Sequence, residues 1–183
     1  STRTGTLFPY TTLFRSLLTV AAASGKSMID LLNAVASTRY VRVYRAYHFN
    51  NGVAAVTGIL TEMRCNRTSA ASAGTAVTPV AHSPAYAALN ANTTAGTGRT
   101  VTVVSLLRSY LYSNDEPAVS GATMDEMELF VPFAEVWNAG YGDTAVEPIT
   151  LPAGTAQGFE IKQQGTSAVG SASLEIEFTD AAA

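Results

Sequence analysis

The chain has 183 residues, 47% of them hydrophobic and only 14% charged, with a formal net charge of −3. That length holds one domain with a real core, the few scattered Lys and Arg argue against a nucleic-acid footprint, and no run approaches the roughly 20 apolar residues of a membrane span. A single cysteine, Cys65, excludes an internal disulfide and a cysteine-based zinc cluster.

In chain order, the first segment is anomalous. Residues 6–16, TLFPYTTLFRS, are the codon-by-codon translation of a common short-read sequencing adapter. Residues 1–16 are therefore expected to be an adapter-derived artefact outside the fold, with a single domain over residues 17–183. The natural N-terminus is then missing, which leaves a signal peptide open. The competing reading is a genuine edge strand.

SMIDLLNAVAST (residues 27–38) puts Met28, Leu31, Leu32 and Val35 at helical spacing. The surrounding β pattern favours a strand over residues 28–33, with a short helix as the alternative. RYVRVYRAYHF (39–49) alternates, with Val41, Val43, Tyr47 and Phe49 on one side and Arg42, Tyr44 and His48 on the other. The turn signal at Asn50, Asn51 and Gly52 predicts that VAAVTGILTEMRC (53–65) pairs back onto it, with Gly58 a candidate bulge. TAVTPVAH (75–82) reads as a short strand limited by Pro79. TVTVVSLLRSYLY (100–112) and EMELFVPFAEVW (126–137) are the longest apolar stretches, and Pro132 marks the second as an edge strand or bulge. The small-residue segments 69–74 and 91–98 read as loops. At the C-terminal end, Phe159, Ile161 and Gln163 alternate with Glu160, Lys162 and Gln164. Leu174, Ile176 and Phe178 alternate with Glu175 and Glu177. With Gly165 and Gly170 between them, the two strands read as a hairpin with one dry and one wet face. The expected fold is all-β: a single β-sandwich, jelly-roll-like, of about eight or nine antiparallel strands.

Chemistry is sparse. His48 and His82 are the only histidines, and a Ser/His/Asp site needs one of them beside a carboxylate. No short His-x-His or Cys-x-x-Cys spacing marks a metal. Asp115 and Glu116, then Asp125, Glu126 and Glu128, show no convergence on a cleft. Asp143 in GYGDT is a weak calcium candidate, more simply a turn. Asn66 and Asn92 head glycosylation sequons of the kind that arise by chance in a Thr-rich chain. Cys65 reads as a small packed hydrophobe. Tyr110, Tyr112, Phe130, Phe133 and Trp137 form an aromatic set suited to core, interface or sugar platform.

The segments RYVRVYRAYHFNNGVAAVTGIL, TSAASAGTAVTPVAH, YSNDEPAVSGATMDEMELFVPFAEVWNAGYGD and LPAGTAQGFEIKQQGTSAVGSASLEIEFTD resemble a family of uncharacterised β-rich virion structural proteins of tailed phages and viral metagenomes. The resemblance covers residues ~16–180 and carries no catalytic signature. It implies a non-enzymatic capsid-decoration or fibre-base subunit located in the virion, passing through the host cytoplasm during assembly. Such a subunit is expected to form a homo-oligomer, taken as a trimer by analogy, and to contact other virion proteins, with no cofactor, metal, nucleic acid or membrane. Tyr112, Phe133 and Trp137 are the expected interface aromatics. The alternatives are a carbohydrate-binding or adhesin-like module and, less favoured, a hydrolase.

Overall fold

The computed structural model describes residues 12–21, 23, 25–50, 59–85, 88–114, 133–139, 147–164 and 171–182. Twelve strands lie among them: β1 (Thr12–Ala21), β2 (Ile29–Asn33), β3 (Arg39–Asn50), β4 (Ile59–Ser72), β5 (Thr75–Val77), β6 (Val80–Ala81), β7 (Thr93–Thr97), β8 (Thr100–Asn114), β9 (Phe133–Asn138), β10 (Ile149–Leu151), β11 (Gln157–Gln164) and β12 (Ser171–Ala182). They form two six-stranded antiparallel sheets. Sheet I has the order β10-β3-β12-β1-β6, with β9 on the same edge of β3 as β10, and sheet II has the order β5-β7-β2-β11-β4-β8.

One hydrophobic core joins the two. Val41, Val43, Leu174, Ile176 and Phe178 of sheet I meet Ile29, Leu31, Met63, Phe159 and Ile161 of sheet II. The alternating residues expected to be buried at 159, 161, 174, 176 and 178 are all buried, each full burial contributing ~1.5–3 kcal/mol. Polar ties close the sandwich. The Asn33 amide donates to the carbonyls of Arg39 and Pro152, both at 2.9 Å, and Arg67 Nη1 donates to the Thr150 carbonyl at 3.0 Å.

The expected sandwich and the strand at residues 28–33 are present. Several finer expectations need correction. Strands β11 and β12 do not form a hairpin: β11 lies between β2 and β4 in sheet II, and β12 between β1 and β3 in sheet I. Likewise β3 and β4 belong to different sheets. Alternation fixes which face a strand buries, and both members of such a pair can point their dry faces at one core from opposite sides. The described residues alone hold twelve strands, more than the eight or nine expected, because Thr- and Ala-rich stretches that read as loops are extended: β4 continues through Ser72, and β7 occupies residues 93–97. Pro79 does limit its strand, since β5 pairs in sheet II, β6 pairs in sheet I, and the chain changes sheets across Thr78 and Pro79. Gly58, Pro132, Gly165 and Gly170 lie outside the described residues.

Strand β1 runs through Ser16 without a break. Residues 12–16 pair with β12, from Thr12 opposite Asp180 to Ser16 opposite Ile176. Phe14 is buried, its ring stacked on Phe178 at 5.5 Å between centroids, and Arg15 pairs with Glu175. The boundary expected at Leu17 thus falls inside a strand. Backbone pairing with β12 is continuous from Thr12 to Ala21, whatever the origin of the codons.

Candidate functional site

The two histidines, for which no catalytic role is expected, stand in different settings. The pairing of β3 with β12 slips at Tyr44, where Glu177 faces Arg45 and Phe178 faces Val43. This bulge reverses the alternation downstream. His48 therefore points into the core, opposite Leu174 and 6.5 Å ring to ring from Tyr110, while Tyr47 and Phe49 take the outer face. Burial pushes the His48 imidazole down to about 4, so the ring is neutral at pH 7. His82 follows β6 at the surface. Its Nε2 is 3.8 Å from Glu177 Oε1, beyond hydrogen-bond distance. It rims a cavity of about 200 Å³ shared with Arg15, Thr78, Val80 and Ala81.

Cys65 is buried, and that burial pushes its thiol up to about 12, which makes it inert as a nucleophile at neutral pH. Asn66 is also buried, donating to Glu160 Oε1 at 2.8 Å, so its sequon is closed to a glycan in the fold. Among the interface aromatics, Trp137 packs partly buried against the core from β9. Tyr112 and Phe133 lie on β8 and β9, the edges of opposite sheets; their side chains lie outside the described residues, as do Phe130, Asp115, Glu116, Asp125, Glu126, Glu128 and Asp143.

What sequence reasoning missed is a polar row across sheet II. Gly96 of β7, Asp30 of β2, Glu160 of β11 and Asn66 of β4 stand side by side in register. They occupy the face that alternates with Ile29, Leu31, Phe159, Ile161 and Cys65, hence the face turned from the shared core. Yet Asp30 is 1% exposed and Glu160 0%. Arg99 accounts for part of this. Gly96 has no side chain, and a Cβ there would stand 2.1 Å from Arg99 Nε. The guanidinium lies in that gap and reaches Asp30 Oδ1 at 3.1 Å. Glu160 takes Asn66 on its other flank and has Lys162 Nζ at 4.0 Å. Asp30 Oδ2 and Glu160 Oε2 have no hydrogen-bond partner among the described residues.

Two carboxyls directly opposite in a ladder repel when both are ionised. Burial raises Asp30 to about 6 against the opposing pull of Arg99, and burial raises Glu160 against Asn66 and Lys162. The pair holds protons more tightly than free carboxyls do. Its raised pKa values couple protonation to stability. The described residues include no group of three or more His, Cys, Asp or Glu suited to a metal, and no helix long and apolar enough to cross a membrane.

A different feature faces outward. β8 is a fifteen-residue edge strand on which Val103, Val104, Leu106 and Leu111 are 43, 60, 52 and 67% exposed. No family model, no curated protein and no solved structure matches the chain.

Proposed function

We propose that the protein is a non-enzymatic structural subunit that assembles by symmetry, as a capsid-decoration or fibre-base component of a phage virion, on a jelly-roll-like sandwich. The observation that carries the assembly half of this reading is β8, a long edge strand with four large apolar side chains in water and Arg108 its single charged residue. An exposed apolar patch of this kind marks an interaction surface. The virion half rests on the phrase-level resemblance. A trimer remains the working expectation by analogy, with Tyr112, Phe133 and Trp137 as contact candidates.

The test is sedimentation of the full chain from about 1 to 100 µM with electron microscopy of the concentrated sample. Symmetric oligomers are expected, and a chain that stays monomeric throughout refutes assembly. A second reading, a carbohydrate-binding module, has one observation in its favour: the bulge at Tyr44 turns Tyr47 and Phe49 outward, rings 6.0 Å apart. Saturable binding on a glycan array, lost in Tyr47→Ala, would favour that reading over assembly.

A further inference from the structure

The outer face of the β4–β8 ribbon is the surface from which a specific contact can be argued. We infer that it is a two-fold interface with a second copy of this chain, packed face to face rather than extended edge to edge.

The register supplies the first argument. Opposite β4, β8 carries two extra residues, Leu107 between the pairs Cys65–Arg108 and Asn66–Leu106, and Val104 between Arg67–Ser105 and Thr68–Val103. Such bulges bend an edge and interrupt the row of amides and carbonyls that another strand needs. The edge is guarded, and the face is not. Val103, Leu106 and Leu111 pair with Thr68, Asn66 and Glu62, on the face shared with the polar row. Arg108 pairs with Cys65 on the other face and donates to the Val136 carbonyl at 3.0 Å. The exposed stripe is therefore uncharged.

Charge complementarity supplies the second. Beside the stripe on β4, Arg64 Nε donates to Glu62 Oε1 at 2.9 Å, and both side chains are about one-third exposed. An acid and a base side by side on one strand form a self-complementary patch. A two-fold axis between them sets Glu62 against the partner's Arg64 and Arg64 against the partner's Glu62, as an isologous contact requires. A partner of one charge sign would gain nothing from this arrangement.

Size bounds the contact. Fifteen residues at ~3.3 Å each give a ribbon ~50 Å long, and two strands are ~10–14 Å wide. Asn66 and Thr68 of β4 are buried on that face, so the accessible part is β8 with Glu62 and Arg64 beside it, roughly half of the ribbon or ~250–350 Å² per copy, the size of a small contact. This contact is one that a symmetric assembly can use to join larger rings, and it rests on the self-assembly part of the function proposed above but not on the virion.

Sedimentation velocity of the full chain tests it, with circular dichroism and thermal melting as fold controls. The parent is expected to dimerise in the micromolar range. Leu106→Lys/Leu111→Lys should raise the dissociation constant by about tenfold or more with the fold intact; should that pair unfold, Leu111→Ser gives the same reading with less disturbance. Glu62→Arg should weaken the dimer, and Glu62→Arg/Arg64→Glu should restore it, because a two-fold contact is indifferent to the swap. A parent that associates equally well in the Leu111 variants overturns this face while leaving self-assembly standing. A parent monomeric at about 100 µM overturns both.

Discussion

Asp30 and His48 make opposite claims on the pH dependence of stability, and they can be separated. Asp30 in the fold titrates at about 6 rather than 3.8. A folded pKa raised above the unfolded one gives stability that is fully present below 3.8 and lost as pH rises through about 6. His48 in the fold titrates at about 4 rather than 6.5. A depressed histidine gives stability that is present above 6.5 and lost as pH falls through about 4. Each shift spans about two pH units and so amounts to roughly 3 kcal/mol at its limit, at ~1.4 kcal/mol per unit. Between pH 4 and 6.5 the two slopes oppose, and the raised Glu160 adds to the Asp30 side. Urea denaturation at pH 4, 5 and 6.5 of the parent, Asp30→Asn and His48→Gln measures them. On going from pH 6.5 to 4, Asp30→Asn should lose ~2–3 kcal/mol relative to the parent, and His48→Gln should gain about as much. Parallel profiles for all three proteins would refute the claim that these two groups are desolvated titrating sites.

Three further outcomes are expected. Phe14→Ala should cost ~3–5 kcal/mol, because the ring is buried against Phe178; an unchanged melting temperature would return residues 12–16 to the status of an appendage. Gly158→Ala should cost more than the ~1–3 kcal/mol typical of overpacking, since its Cβ would stand 2.4 Å from Thr68 Oγ1 and 2.7 Å from the Leu31 carbonyl; urea melts giving a neutral effect would mean the β2–β11–β4 register is wrong. Cys65 should resist a thiol reagent in the native protein at pH 8 and react on unfolding; native-rate labelling would contradict its burial.

The sequence was legible where packing is decided by alternation alone. Ile161, Leu174, Ile176 and Phe178 announce their burial because each stands between polar neighbours, and Phe159 because it lies between Gly158 and Glu160 in the same alternation. Partner choice is another matter: β11 and β12 both carry that pattern, and nothing in it says that they face each other across a core. Tyr44 shows why a single extra residue defeats alternation, since the bulge there exchanges the faces of Tyr47 and His48. Glu160 was hidden for a different reason. A charge in an alternating strand reads as solvent-facing, and only the register with Asp30 and Asn66, brought together from three distant strands, reveals a buried row. Its one local hint is Gly96 three residues before Arg99, a bare position followed by a long cation that lies across it.

Strand β12 is the middle of sheet I, held between β1 and β3, and its partner β1 lies far from it in sequence: Arg15 meets Glu175 across 160 residues. During synthesis β1 and β3 each keep the flank that faces β12 open until that strand has been made, although β6, β9 and β10 can already pair on their other sides. Strand β12 is thus the seam that closes sheet I, and any nascent chain that stops short of it leaves β1 and β3 with open flanks. Long-range pairing of this kind is slow and exposes strands to wrong neighbours, and in a crowded cell making many copies at once the wrong neighbour is another unfinished chain of the same kind.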